Sequence, residues 1–346
     1  MELRCFTPLK RFSIIGLEGC RKRNGRKEDI MRKKMLAVMM AAVMAMGALT
    51  SCGGKEKTLN IGVVQLTEHP ALDAAYQGFV DGLAEAGYKD GENIKIDYNN
   101  AQNDQSNCTT IAEKLVNNKS DLIFAIATPA AQACAAQTTT IPILVTAVTD
   151  PATSGLVESN DAPGGNVTGT SDLNPVVEQI GLLKKLLPEA KTVGVLYCSA
   201  EDNSIFQANI AKAEIEAAGL TYVEATVSNT NEIVSVVESL VSKVDVIYTP
   251  TDNMMAEGMA AVTSVATEHG IPCIVGEEGM VDNGGLATYG LNYYNLGKQT
   301  AVMAVSILKG EKKPADMPIE YLTSYELKIN EDTAKALNIQ IPADLK

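Results

Sequence analysis

Short polar loops recur directly after runs of β-branched residues: QLTEHP (65–70), ATPAA (127–131), VTDP (148–151), SAEDNS (199–204), TPTDNMMAEG (249–258) and GEEG (276–279). Most of them place Ser, Thr, Asp or Asn where a helix would begin, and several add proline near the first helical position. Such residues satisfy free N–H groups at a helix start, a role worth about 1 kcal/mol each. A helix start is also a ready site for an anion. Capping explains any single loop, whereas five on one edge of two sheets point to a binding cleft.

Covalent and metal chemistry lack their usual parts. His69 and His269 are the only histidines, and neither G-x-S-x-G nor H-E-x-x-H occurs. Cys108, Cys134, Cys198 and Cys273 show no C-x-x-C spacing. GGNVTG and GGKEKT do not form a phosphate loop between strand and helix, so both read as turns. No cofactor and no metal site are expected. The chain carries 29 basic against 42 acidic residues, a net charge of −13. Eleven of the bases but only four of the acids lie in the first 51 positions, which leaves the remainder near −20. Such a polyanion repels nucleic acid and anionic lipid, so neither is expected to partner the folded part.

The loops need a scaffold that gathers them on one edge. Brief β-branched runs alternating with longer helical patterns predict parallel α/β sheets. One series comprises LNIGVVQL (59–66), NIKIDYNN (93–100), DLIFAIAT (121–128) and IPILVTAVT (141–149), followed by NVTGTSD (166–172) as a strand leaving the lobe. A second series repeats the plan with TVGVLYC (192–198), LTYVEATV (220–227), DVIYTP (245–250) and IPCIVG (271–276). GLATYGLN (285–292) reads as a returning strand followed by a helix to Leu308, and a last strand and helix over 321–337 would finish the second lobe. The expected fold is α/β, two similar doubly wound parallel-sheet lobes joined by a three-crossing hinge near Thr170, Gly290 and Ile319. The lobe boundaries are 58–169 with 290–319, and 170–289 with 320–346. Ligands bind such sheets at the carboxyl ends of their strands.

Ahead of the lobes, MRKKMLAVMMAAVMAMGALTSC (31–52) sets three cations before an apolar run too short to span a membrane, as an export signal requires. Leu49, Ser51 and Cys52 resemble the lipobox of bacterial lipoproteins, which implies a signal peptide over 31–51, lipidation at Cys52 and a linker over 52–57. Residues 1–30 read as a non-native extension upstream of that signal.

The lipobox, the two-lobe order and the strings ATPAAQ, VTDP, GGNVTGTSDLNP and SAEDNS together resemble the substrate-binding lipoproteins of ABC importers. These have the type I periplasmic-binding fold, and the similarity is to the branch that takes tryptophan and related aromatic amino acids. TDNMMAEG (251–258) is similar to a turn whose aspartate faces the ligand, which maps onto Asp252. The resemblance implies a non-enzymatic protein on the extracytoplasmic face, held to the membrane by lipid, that captures an amino acid and passes it to ABC permease subunits.

A zwitterion needs two unlike sub-sites. Thr128 with Ala130, and Thr149, are candidates for the α-carboxylate, and Pro129 between the first two belongs to the expected ligand-binding set. Asp252 is the first choice for the α-ammonium, with Asp202, Asp150 and Glu278 behind it. Gln65, Leu66, His69, Asp172, Asn203, Ser204 and Asn253 complete the expected set, and Tyr197, Tyr248 and Tyr289 offer aromatic surface. Two alternatives stay open: a sensory ectodomain that presents ligand to a receptor, and an amino-acid racemase using Cys134 and Cys198.

Overall fold

A computed structural model describes residues 58–345; the export signal and Cys52 lie outside the described residues. The first sheet contains β1 (Leu59–Gln65), β2 (Ile94–Asn100), β3 (Leu122–Ile126), β4 (Ile143–Val148), β5 (Val167–Ser171) and β11 (Glu320–Tyr321), all parallel, in the order β11-β5-β4-β3-β1-β2. Its central strands LIFAI and ILVTAV are buried at every residue. That is the pattern of strands covered by helices on both faces. The covering helices are α1 (Pro70–Glu85), α2 (Gln105–Asn117) and α3 (Thr128–Gln137).

The second sheet repeats the arrangement with β6 (Thr192–Cys198), β7 (Thr221–Val227), β8 (Val246–Thr249), β9 (Cys273–Val275), β10 (Ala287–Gly290) and β12 (Glu326–Ile329), in the order β12-β10-β9-β8-β6-β7. Only β12 runs antiparallel to its neighbour. Its helices are α4 (Val176–Leu186), α5 (Asp202–Ala217), α6 (Ile233–Val241), α7 (Asn253–Glu268) and the short α8 (Glu278–Asp282). A helix α9 (Tyr293–Leu308) returns to the first lobe, and α10 (Glu331–Ala336) follows β12.

The first core is built on Phe79 stacked on Phe124, with ring centroids 3.8 Å apart. Helix α9 can join it because two glycines let it touch α1 backbone to backbone. A β-carbon at Gly78 would lie 2.0 Å from the Tyr294 carbonyl oxygen, and one at Gly297 would lie 2.0 Å from that of Ala75.

The chain passes between lobes over 172–175, over 291–292 and over 322–325. Two details differ from the sequence reading. The segment NVTGTSD is the fifth strand of the first sheet, and the chain leaves only after Ser171. Glu320 and Tyr321 pair with Thr170 and Ser171 in the first sheet rather than opening the second lobe's return. They are held there because the Thr168 hydroxyl donates to the Met317 carbonyl at 2.7 Å and the Ile319 N–H to Asn160.

In each sheet the strand order reverses once, between β1 and β3 and between β6 and β8. Helices leaving opposite faces at such a switch point leave a crevice outside the strand ends. The loops after these four strands, 66–69, Ala127, 199–201 and 250–252, therefore define where a ligand can enter.

Candidate functional site

Capping accounts for some of the strand-end loops and fails for others. Asp252 caps α7, accepting from the Met255 N–H at 2.8 Å, and Glu277 caps α8 through the N–H groups of Gly279 and Met280 at 2.6 and 2.7 Å. The residues before α1, α3 and α5, namely His69, Ala127 and Glu201, make no side-chain cap. Ala127 is the single residue between β3 and α3, and its φ of +83° lies where a residue with a β-carbon rarely goes. Backbone strain of this kind costs about 1–3 kcal/mol and gathers at functional sites.

Among the described residues, six buried side-chain atoms lack a hydrogen-bond partner: Gln65 Oε1, His69 Nδ1, Thr128 Oγ1, Asn203 Oδ1, Gln207 Oε1 and Thr249 Oγ1. Buried polar atoms are nearly always paired, and leaving one unpaired costs about 1–3 kcal/mol. All six belong to the ends of β1, β3, β6 and β8 or to the loop and first two helical turns that follow, at the two switch points.

The lobes are closed on each other. The Thr67 hydroxyl and Asn103 Nδ2 of the first lobe donate to Glu257 Oε2 on α7 at 3.2 and 2.9 Å. Gln132 Nε2 donates to Asp202 Oδ2 at 2.8 Å, and Gln207 Nε2 donates to the Thr149 hydroxyl at 3.1 Å. His69 Nε2 meets Asn253 Oδ1 at 3.4 Å. A connected network runs from His69 through Asn253, Glu201, Asn203 and Gln207 to Thr149, Asp172 and Tyr293.

The buried carboxylic-acid and basic side chains among the described residues are four carboxyls, Asp172, Glu201, Asp252 and Glu277, and the imidazole of His69. Arg32 is the last arginine of the sequence. Burial, only partly offset by hydroxyls of Tyr293 and Thr149, holds the Asp172 carboxyl at about 6. Burial likewise holds Glu277 at about 7. Glu201 and Asp252 are also raised by burial, Glu201 further by the neighbouring charge of Asp252. Burial lowers His69 to about 4, so its ring is neutral. The cleft is thus short of positive charge and lined with acceptors.

The expected residues separate into distinct positions. Gln65, Leu66, His69, Thr128, Pro129, Ala130, Thr149, Asp172, Asn203, Ser204 and Asn253 are buried at the strand ends. Asp202 sits at the rim against Gln132. Asp150 organises its own turn, accepting from the Thr153 N–H at 2.7 Å and Asn160 Nδ2 at 3.1 Å. Glu278, at the start of α8, is half-buried at the hinge side with Pro70, Ala71 and Leu291. Both Asp252 oxygens are engaged by backbone, Oδ1 by Met255 and Oδ2 by the Cys198 N–H at 2.6 Å, which pins α7 to the end of β6. Of the tyrosines expected as ligand surface, Tyr197 and Tyr248 are core of the second lobe, Tyr289 is partly buried against that core, and the Tyr248 hydroxyl donates to Gln179 at 2.7 Å. All four cysteines at 108, 134, 198 and 273 are free and buried. Burial pushes the Cys134 and Cys198 thiols up to about 12, which keeps them protonated and poor nucleophiles.

Sequence reasoning missed Glu201 and Gln207. Gln207 lies one helical turn beyond Asn203, so a search for polar residues at i and i+4 from a helix start would have found it.

Two lobes closed over a polar, acceptor-lined crevice at paired switch points define a protein built to enclose a small ligand. Residues 60–346 match the family model described as ABC transporter substrate binding protein, and the chain belongs to that family. It is 43% identical over 325 residues to a tyrosine-binding protein of Clostridioides difficile, covering 90% of this chain and 94% of that one. It is 44% identical to a domain from Streptococcus pneumonia solved in complex with L-Trp, with a TM-score of 0.81 over 84% of this chain and 97% of that one. Against a ligand-free, open substrate binding protein with adhesive properties from Clostridium difficile, identity is 47% but the TM-score is 0.65, over 83% and 97% of the two chains. The higher identity with lower superposition agrees with the closed lobes described above.

Proposed function

We propose that this protein captures an aromatic amino acid between its lobes and delivers it to ABC permease subunits. In this reading it is held on the extracytoplasmic face by lipid on Cys52. The observation that carries the reading is the set of unpartnered buried atoms at both switch points, since a closed cleft with those atoms unmet would be costly. The α-carboxylate is assigned to the Thr128 hydroxyl and the first-turn N–H groups of α3, where the helix dipole favours an anion and no cation is needed. The α-ammonium is assigned to Asp172. Its Oδ1 accepts from the Thr149 hydroxyl at a long 3.3 Å, and a buried carboxyl with no cation beside it suits the ligand's ammonium. The aromatic preference rests on the two relatives whose names give tyrosine and L-Trp.

The test is a thermal-shift and calorimetric screen of the common amino acids on the chain from Cys52 onward. An aromatic amino acid at 100 times its Kd adds about 2.7 kcal/mol of stability. A screen in which no aromatic amino acid shifts the melt, while another class does, refutes the reading.

A further inference from the structure

The hydrogen-bond polarity of the cleft is set mainly by backbone carbonyls and carboxyl oxygens that accept from the side-chain amides. Gln65 Nε2 donates to the Thr67 carbonyl at 2.8 Å and to Asp73 Oδ1 at 2.7 Å, so a flipped amide would face oxygen with oxygen, and Oε1 is the free atom. Gln207 Nε2 is likewise held by the Thr251 carbonyl at 2.9 Å and the Thr149 hydroxyl. Asn203 Nδ2 donates to Glu201 Oε2 at 3.1 Å. Asn253 Nδ2 donates to the same carboxylate, which makes Asn253 Oδ1 an acceptor. His69 must then carry its proton on Nε2, facing that oxygen, and Nδ1 is left as a bare acceptor.

Four of the six unpartnered atoms are therefore acceptors of fixed polarity: Gln65 Oε1, His69 Nδ1, Asn203 Oδ1 and Gln207 Oε1. The Thr128 and Thr249 hydroxyls can serve either way. An α-ammonium brings three N–H donors, and Asp172 takes part of that supply. With one of its N–H groups spent on Asp172, the ammonium leaves two for four acceptors, so a donor on the ligand side chain meets an acceptor that an apolar ring cannot.

We infer that the cleft selects an aromatic amino acid whose side chain carries its own hydrogen-bond donor, an indole N–H or a phenol O–H, and rejects phenylalanine. This rests on the aromatic reading above and deepens it. The reason for rejection is that an apolar ring would leave a buried acceptor with nothing to accept from, whereas a site built for a donor discriminates strongly against the ligand lacking it.

Calorimetry with tryptophan, tyrosine, phenylalanine, 1-methyltryptophan and O-methyltyrosine tests it. Phenylalanine, and the methylated form of whichever of tryptophan and tyrosine binds better, are expected to bind more than fivefold more weakly than that ligand, within the range of about 5- to 150-fold that an unmet buried acceptor implies. Phenylalanine within fivefold of the better ligand overturns the inference and leaves the aromatic reading standing; no binding by any of the five overturns that reading as well. The methyl group also adds bulk, so phenylalanine decides where the two comparisons differ. A second measurement uses the variants Q65M, H69F, N203L and Q207M with melting checked for each. At least one is expected to narrow the preference over phenylalanine by fivefold or more. A set of folded variants that all weaken the ligands in equal proportion overturns the assignment of a side-chain reader to these four residues.

Discussion

Asp252→Asn separates a ligand contact from a structural clamp. The two carboxylate oxygens each hold one backbone N–H, Met255 at 2.8 Å and Cys198 at 2.6 Å, and the residue is 1% exposed. Asparagine has one carbonyl oxygen, so one of these N–H groups would face an NH2 group. Loss of a hydrogen bond to a charged group costs about 1.5–3 kcal/mol. Removing a buried negative charge beside Glu201 offsets part of that. A net loss near 2 kcal/mol is expected for the unliganded protein, or about 4–8 °C in melting temperature at roughly 2–4 °C per kcal/mol for a protein of this size. Affinity for the aromatic ligand, measured by calorimetry at a temperature where both proteins are folded, should stay within about threefold. An unliganded melting temperature unchanged to within about 1 °C together with a tenfold loss of affinity would refute this reasoning and return Asp252 to the ammonium site.

Thr128→Val removes an unpartnered buried hydroxyl at nearly constant shape, so the unliganded protein should melt no lower while ligand affinity falls about tenfold, as calorimetry would read. Unliganded stability should be higher at pH 5.5 than at pH 7.5. Asp172 and Glu277 are raised to about 6 and about 7, so their contribution is fully present below their ordinary values of 3.8 and 4.5 and is lost as pH rises through the raised ones. His69, lowered to about 4, acts in the opposite sense between pH 6.5 and 4 but is outnumbered by the buried acids; equal melting temperatures at the two pH values would contradict this. Cys52→Ala should move the protein from the membrane fraction to the soluble fraction or leave it unprocessed, and fractionation showing a processed, membrane-bound variant would sink the lipid anchor.

The alternation of LNIGVVQL, DLIFAIAT and IPILVTAVT with helical stretches was enough to foresee two parallel-sheet lobes, because a strand covered on both faces must be apolar at nearly every position. It also placed the polar loops on one edge, since every strand of a parallel series ends on the same side. Strand identity at the crossings was less legible: a two-residue strand such as Glu320–Tyr321 is held by Met317 and Asn160, partners far away in sequence. The roles of individual polar residues were decided only by tertiary structure. Asp252 and Asp172 are both acids at strand ends, yet one meets two backbone N–H groups and the other two hydroxyls. Tyr248, apolar-flanked like a ligand platform, turned inward to Gln179. Composition and spacing determine which residues reach the cleft edge, but whether a polar atom there is already paired depends on what the other lobe and the neighbouring loops bring within about 3 Å, and no local pattern encodes that distance.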